Sequence, residues 1–186
     1  GPSNAPDSPD SPRRRPRLVL LNANASDLLP LRRWPGERYV ELARRLLAWE
    51  GDLHVAFTGA PSERSVARRL VEAVGSDRCF CLAGETTMRE LLVLYCMADV
   101  LVTNDSGPAH FAALTPVHTV VLFGPETPAR FGTLSPRSTV LYKALDCSPC
   151  VTAFNNRLSR CRDNRCMQAI SVDEVFEAVC AALGKA

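Results

Sequence analysis

From Arg17 onward the chain alternates short apolar runs with stretches of helical periodicity, and this alternation limits the fold more than any other feature. Apolar runs at 18–22, 53–57, 79–82, 100–103 and 117–123, with a short one at 139–142, have the length of buried strands. Between them, Tyr39, Val40, Leu42, Ala43, Leu46 and Leu47 fall on one helical face, with arginines opposite and a stop near Gly51. Ser62 is the expected N-cap of a helix running to Val74 and stopped by Gly75, and Thr86 or Thr87 opens a helix holding Leu91, Leu92, Leu94 and Met97. Pro108 suits the first turn of a short helix over 108–114. Ser171 followed by Glu174 forms a capping box for a last helix over 172–183. Repeated strand–helix units of this kind predict an α/β fold, a Rossmann-like parallel sheet of about six strands with helices on both faces.

A length of 186 residues suits one such core. Apolar residues make up 46% and charged residues 23%, the balance of a globular chain, and no apolar run approaches the roughly 18–20 residues that span a bilayer. The beginning is polar and proline-rich rather than a basic stub leading into an apolar block, so it does not read as a secretory leader. The net charge of +2 resides in residues 1–17, where Arg13, Arg14, Arg15 and Arg17 outnumber Asp7 and Asp10. A neutral remainder lacks the electrostatic footprint of a nucleic-acid-binding protein. Residues 1–16 are expected to lie outside the fold as a tag or solvated linker, close to a membrane surface in a longer parent protein.

In an open parallel sheet, ligands bind beyond the carboxyl ends of the strands, where the segments 22–33, 58–63, 104–110 and 123–127 should converge. Asp105-Ser106-Gly107 between a strand and a helix offers backbone N–H groups, a hydroxyl donor and close main-chain approach, all suited to phosphate oxygens. His110, three residues beyond Gly107, falls on the same helical turn. Read singly, these residues would be a helix cap with a histidine at its edge; their place beside three other converging loops favours a site. A G-x-G-x-x-G fingerprint is absent, which argues against a dinucleotide-dependent dehydrogenase.

The stretches Asn22-Ala23-Asn24-Ala25-Ser26, Arg32-Arg33-Trp34-Pro35, Asn104-Asp105-Ser106-Gly107-Pro108-Ala109-His110 and Leu122-Phe123-Gly124-Pro125 resemble, in order, the motifs of glycosyltransferase family 9, the heptosyltransferase family. The resemblance spans about residues 17–183. It implies the nucleotide-sugar-binding C-terminal half of an inverting GT-B enzyme that moves a sugar, such as heptose from ADP-heptose, onto a lipid-linked or cell-envelope glycan. By the same resemblance Asp105, Ser106, Gly107, His110, Arg32, Glu63 and Ser26 are donor-binding candidates. No catalytic residue is expected in this chain, because the general base of such enzymes belongs to an N-terminal acceptor half. The implied location is cytoplasmic, at the inner face of the membrane. Cations and oriented N–H donors can stabilise a departing diphosphate without a metal, so no catalytic metal is expected. The loop 25–31 departs from the pattern with Asp27, Leu28 and Leu29 where relatives are richer in Thr, Lys and Gly. A rival reading is a noncatalytic nucleotide-binding or interaction module of a larger membrane-associated protein.

Eight cysteines remain to be placed. Cys79, Cys81, Cys96 and Cys180 fall on predicted strands or helices and read as small buried apolar residues. Cys147, Cys150, Cys161 and Cys166 lie in the aperiodic stretch 143–168, as C-x2-C and C-x4-C separated by ten residues. Their spacing leaves three outcomes open: a structural zinc or iron site, disulfides, or free thiols.

Overall fold

The computed structural model describes residues 15–25, 29–155 and 158–184. Six parallel strands, β1 (Arg17–Asn22), β2 (Leu53–Phe57), β3 (Cys79–Cys81), β4 (Val100–Asn104), β5 (His118–Phe123) and β6 (Ser138–Tyr142), form one sheet in the order β3-β2-β1-β4-β5-β6. The register pairs Val19 with Val55 on one side and with Val100 on the other, so β1 and β4 are neighbours although two strands separate them in sequence. The chain therefore winds outward first to one edge and then to the other, and the reversal leaves a crevice above the carboxyl ends of β1 and β4.

Alternation along each strand decides which layer it feeds. Val19, Leu21, Val55, Phe57, Val100, Val102, Val120 and Leu122 face α1 (Gly36–Trp49), α2 (Arg64–Val74) and α7 (Val172–Gly184) in one continuous apolar cluster. Leu20, Ala56 and Leu101 face the other way, onto Tyr95 of α3 (Met88–Met97) and Ala112 of α4 (Gly107–Ala112). Burial on both faces explains why the central strands read as unbroken apolar runs. Among the described residues no helix is long and apolar enough to cross a membrane.

Strand positions match the expectation to within a residue or two, and the helix ends carry most of the differences. Ser62 is not a cap: Pro61–Glu63 forms a 3-10 turn, and α2 starts only at Arg64. There the Glu63 carboxylate accepts the Ala60 N–H at 2.7 Å, which supplies the turn that Ser62 was expected to supply. Gly75 ends α2 as expected, in the left-handed region at φ 71°. Thr87 caps α3 with Glu90 answering in a capping box, and Ser171 does the same with Glu174 for α7. Two short helices, α5 (Pro128–Phe131) and α6 (Arg165–Gln168), were not foreseen because four residues are too few to show a period. Arg15 was excluded from the fold, yet its guanidinium is hydrogen-bonded to both carboxylate oxygens of Asp99, at 3.1 and 2.8 Å. Cys79 is buried and its thiol is pushed up to about 11 by burial, while Cys81 and Cys180 are half-buried. Cys96 is exposed, contrary to expectation, because Tyr95 takes the inward position on α3.

Candidate functional site

Buried polar side chains collect at one end of the sheet: Asn22, Asn24, Thr58, Asn104, Asp105 and Glu126 are all nearly inaccessible and all follow or end a strand. Burying an amide costs free energy unless it is fully hydrogen-bonded, and Asn104 shows how the cost is met. Its Oδ1 accepts from the Trp34 backbone N–H at 3.0 Å and lies 3.2 Å from the Tyr39 hydroxyl, and its Nδ2 donates to the Asn24 carbonyl at 3.0 Å. The end of β4 is thereby pinned to both sides of the loop that follows β1. Asn22 reaches in turn to Thr58, with its Nδ2 3.3 Å from the Thr58 hydroxyl oxygen.

A cavity of about 410 Å³ opens between these pinned loops. Its walls come from Asn22, Asn24, Ala25 and Arg32 after β1, from residues 58–61 and Glu63 after β2, from Thr86, Thr87, Met88 and Leu91 at the start of α3, and from Ser106, Gly107, Pro108 and Phe111 at α4. A larger cavity of about 710 Å³ adjoins it through Asn24 and Glu63, which line both. Its other walls include Arg33, Trp34, Ser62 and Asn164.

Two glycines make this packing feasible. A Cβ on Gly59 would lie 2.8 Å from both Asn24 Nδ2 and Glu63 Oε2. Gly84 has φ +74° and a Cβ there would come within 2.8 Å of the Pro61 Cα, while its N–H donates to the Gly59 carbonyl at 2.9 Å. The loop entering α3 is thus drawn against the loop after β2, and this brings Thr86 to Leu91 into the cavity wall.

Arg32 is the cation at the base of the cavity. Its Nη1 donates to the Asp105 carbonyl at 2.9 Å, and its Nε lies 3.2 Å from Glu126 Oε2, an ion pair by distance rather than an aligned hydrogen bond. The Arg32 side chain is 16% exposed and Glu126 only 2%, so the carboxylate sits behind the guanidinium and the guanidinium faces the cavity. Asp105 donates its own N–H to the Leu122 carbonyl, tying the turn to β5. Among the described residues no protein acceptor faces the N–H of Ser106 or Gly107. The Ser106 hydroxyl lies 3.2 Å from the Asn104 carbonyl, to which it donates.

Of the expected donor-binding residues, Arg32, Glu63, Ser106 and Gly107 share this cavity. Asp105 is 3% exposed and acts through its backbone rather than as a lining side chain. His110 is exposed and lines none of the cavities described, because Ala109 and Ala112 take the buried face of α4. Ser26 lies outside the described residues. The segment 123–127 contributes only indirectly, through Glu126. Sequence reasoning placed Asn24 and Thr58 only within converging segments and missed the start of α3, for which the Gly84 turn ahead of Thr86-Thr87 was the available signal.

The four loop cysteines are all free thiols, and Cys147, Cys150 and Cys161 line one separate cavity of about 970 Å³. Burial and the neighbouring thiols, partly offset by the Met167 N–H, push Cys166 up to about 11. Among the described residues no three His, Cys, Asp or Glu side chains meet closely enough to share an ion, so of the three outcomes that the spacing left open the structure shows free thiols.

This arrangement of strands and loops has counterparts. The chain resembles in fold a solved Escherichia coli ADP-heptose lps heptosyltransferase II, with a TM-score of 0.75 and 24% identity, over 92% of this chain and 47% of that one. It is 35% identical over 115 residues to lipopolysaccharide heptosyltransferase 2 of Salmonella typhimurium, which covers 60% of this chain and 32% of that protein. It is 34% identical over 128 residues to lipooligosaccharide heptosyltransferase 2 of Haemophilus influenzae, 67% of this chain and 36% of that protein. The chain thus spans about a third of the length of these curated relatives and about half of the solved one. The family model of glycosyltransferase family 9 (heptosyltransferase) matches residues 2–158. The chain belongs to glycosyltransferase family 9, the heptosyltransferase family.

Proposed function

We propose that this chain is the sugar-nucleotide-binding half of an inverting glycosyltransferase and holds a nucleoside-diphosphate sugar of the ADP-heptose kind. The observation that carries the reading is the 410 Å³ cavity at the β1/β4 reversal, which the Arg32 guanidinium and the start of α4 at Ser106 and Gly107 both line. A diphosphate placed there gains charge-assisted hydrogen bonds from both. The nucleoside then lies toward Thr58, Glu63, Thr87 and Leu91, where hydroxyl and carboxylate acceptors stand beside apolar surface. Family membership and the named E. coli fold relative, an ADP-heptose enzyme, support the choice of donor.

In the reaction so proposed, the bond from the sugar carbon to the diphosphate oxygen breaks and negative charge grows on the departing diphosphate. Arg32 and the two N–H groups meet that charge with donors fixed in advance by the protein, which lowers the barrier without reorganisation. The acceptor hydroxyl and the base that removes its proton belong to an N-terminal acceptor half of the parent protein. The acceptor is a lipid-linked or cell-envelope glycan, met on the cytoplasmic side at the inner face of the membrane.

Calorimetric titration with ADP and with UDP tests the reading. ADP should bind with one site, and Arg32→Ala should weaken it by roughly tenfold to a hundredfold, the worth of a charge-assisted contact. His110→Ala, outside the cavity, should change little. Failure of both nucleotides to bind a folded chain, or indifference to Arg32→Ala, would remove the assignment.

A further inference from the structure

The near-neutral balance beyond residue 17 conceals a segregation of charge. Residues 128–165 hold seven arginines and lysines against Asp146 and Asp163 and no glutamate, whereas residues 18–127 and 166–186 are each acidic in net. The basic stretch runs from α5 through β6 and into the loop before α7 that carries the four loop cysteines. Among the described residues no carboxylate lies within ion-pair distance of Arg130, Arg160 or Arg162, and Arg165 meets only Asp163, at 3.5 Å with both side chains largely exposed.

Large apolar side chains stand among these charges. Phe154 is 87% exposed and Leu158 is 73% exposed. The backbone beneath them is tied down: the Asn155 side chain accepts the Thr152 N–H at 2.9 Å and donates to the Cys150 carbonyl at 3.0 Å, while the Leu158 N–H donates to the Asn155 carbonyl at 2.9 Å. Asn155 thus fixes the turn Ala153–Asn155 that holds Phe154 outward. The Arg130 guanidinium lies 5.4 Å from the centroid of the Phe154 ring, and Leu158 lines one cavity with Arg160, Arg162 and Arg165. The apolar and basic groups therefore share one surface. One exposed leucine is ordinary, but an outward phenylalanine and leucine beside arginines without carboxylate partners match the boundary of an anionic bilayer, where apolar tips enter and guanidinium groups meet phosphate.

This surface lies on the same rim of the sheet as the 410 Å³ cavity, since α5 and the loop follow the carboxyl ends of β5 and β6. Two ties bind it to the cavity's supports. The N–H groups of Cys150 and Val151 donate to the Pro125 carbonyl, at 3.0 and 2.9 Å, in the turn that carries Glu126. Asn164 Nδ2 donates to the carbonyls of Leu31 and Arg33, at 3.2 and 2.8 Å, on both sides of Arg32. Arg15, in the arginine-rich beginning of the chain, pairs instead with Asp99 ahead of β4, at the opposite end of the strands.

We propose that Arg130, Phe154, Leu158, Arg160 and Arg162 form a docking surface for an anionic phospholipid bilayer. Phe154 and Leu158 enter the headgroup boundary, and the arginines meet lipid phosphates. Docking by this surface holds the rim of the donor cavity beside the membrane, within reach of a lipid-linked acceptor. That consequence rests on the function proposed above; the docking surface itself does not.

Vesicle binding by the whole chain, without nucleotide, tests this. The chain should co-sediment with vesicles of phosphatidylethanolamine and phosphatidylglycerol in equal amounts, should stay in solution with phosphatidylcholine alone, and should be released by salt. Arg160→Ala combined with Arg162→Ala should weaken the partition roughly twentyfold, about fivefold for each charge. Phe154→Ala should weaken it roughly tenfold. All three positions are exposed, so these variants should unfold in urea with wild type. Arg13→Ala with Arg14→Ala should change binding little. In a Phe154→Trp variant, brominated phosphatidylglycerol should quench the new indole. Failure to bind the phosphatidylglycerol vesicles, or equal binding to phosphatidylcholine, would overturn the proposal. Loss of binding through Arg13 and Arg14 but not through Arg160 and Arg162 would do the same. Self-association that Phe154→Ala abolishes in the absence of lipid would assign the face to a second copy of the chain instead. With no nucleotide in the sample, each of these failures leaves the donor-site reading to stand or fall on its own calorimetry.

Discussion

Arg32 donates to the Asp105 carbonyl and faces the buried Glu126 carboxylate, so its guanidinium is aimed at the cavity by groups that no ligand displaces. A cation oriented in this way loses little entropy when it meets a phosphate, which is the advantage of fixing it from behind. Removing one partner of a buried pair leaves an uncompensated charge, so Glu126→Ala should destabilise the fold by about 2–4 kcal/mol. Removing both should cost less than the sum of the two single changes, by more than about 0.5 kcal/mol. Urea denaturation of Glu126→Ala, Arg32→Ala and the double variant measures this. Strict additivity would show that the two side chains merely adjoin. Glu126 was placed by sequence reasoning only within a converging segment, because nothing local marks a glutamate after Gly124-Pro125 as buried. Its burial depends on Arg32, 94 residues earlier in the chain (126 − 32).

The helix starts that were legible are those with a capping box, since it is written in four consecutive residues and acts within them. Ser171 and Glu174 exchange hydrogen bonds at the start of α7, and Glu174 also receives Lys143 from the end of β6. The Lys143 ammonium, then the Ser171 N–H, hold the Glu174 carboxyl down at about 2, below its ordinary 4.5. A folded value below the unfolded one means that stability is fully present above about pH 4.5 and is lost as pH falls toward 2. Glu174→Gln should therefore cost about 1 kcal/mol or less at neutral pH, given its partial exposure, and the gap to wild type should close on acidification. Urea midpoints measured from pH 7 down to pH 2.5 check this, and a gap that stays constant would mean that charge plays no part. What sequence did not reveal was set by distant packing. Ser62 was displaced as a cap by Glu63, which answers to Ala60, and His110 falls on the outer face of α4, whose buried positions are Ala109 and Ala112.

At the scale of the whole molecule, the parallel sheet was legible because its strands are buried on both faces and therefore read as continuous apolar runs. The strand order was not, because pairing β1 with β4 is a choice between topologies that the periodicity leaves equal. That order places the 410 Å³ cavity on the seam between the two windings of the chain and sets the cysteine loop on the far side of the β5 turn. The loops that wall the cavity and the body of the cysteine loop should therefore respond separately in hydrogen exchange. Saturating ADP, at about a hundred times its dissociation constant, adds about 2.7 kcal/mol to the folded state and should slow globally exchanging amides roughly a hundredfold. Local protection should appear in residues 22–25, 29–35, 58–63, 84–91 and 104–111, the loops that wall the cavity. Residues 144–163 make few buried contacts and should exchange quickly whether or not ADP is present. Protection of the cysteine loop by ADP would mean instead that the nucleotide reaches across the β5 turn and that the two cavities work as one.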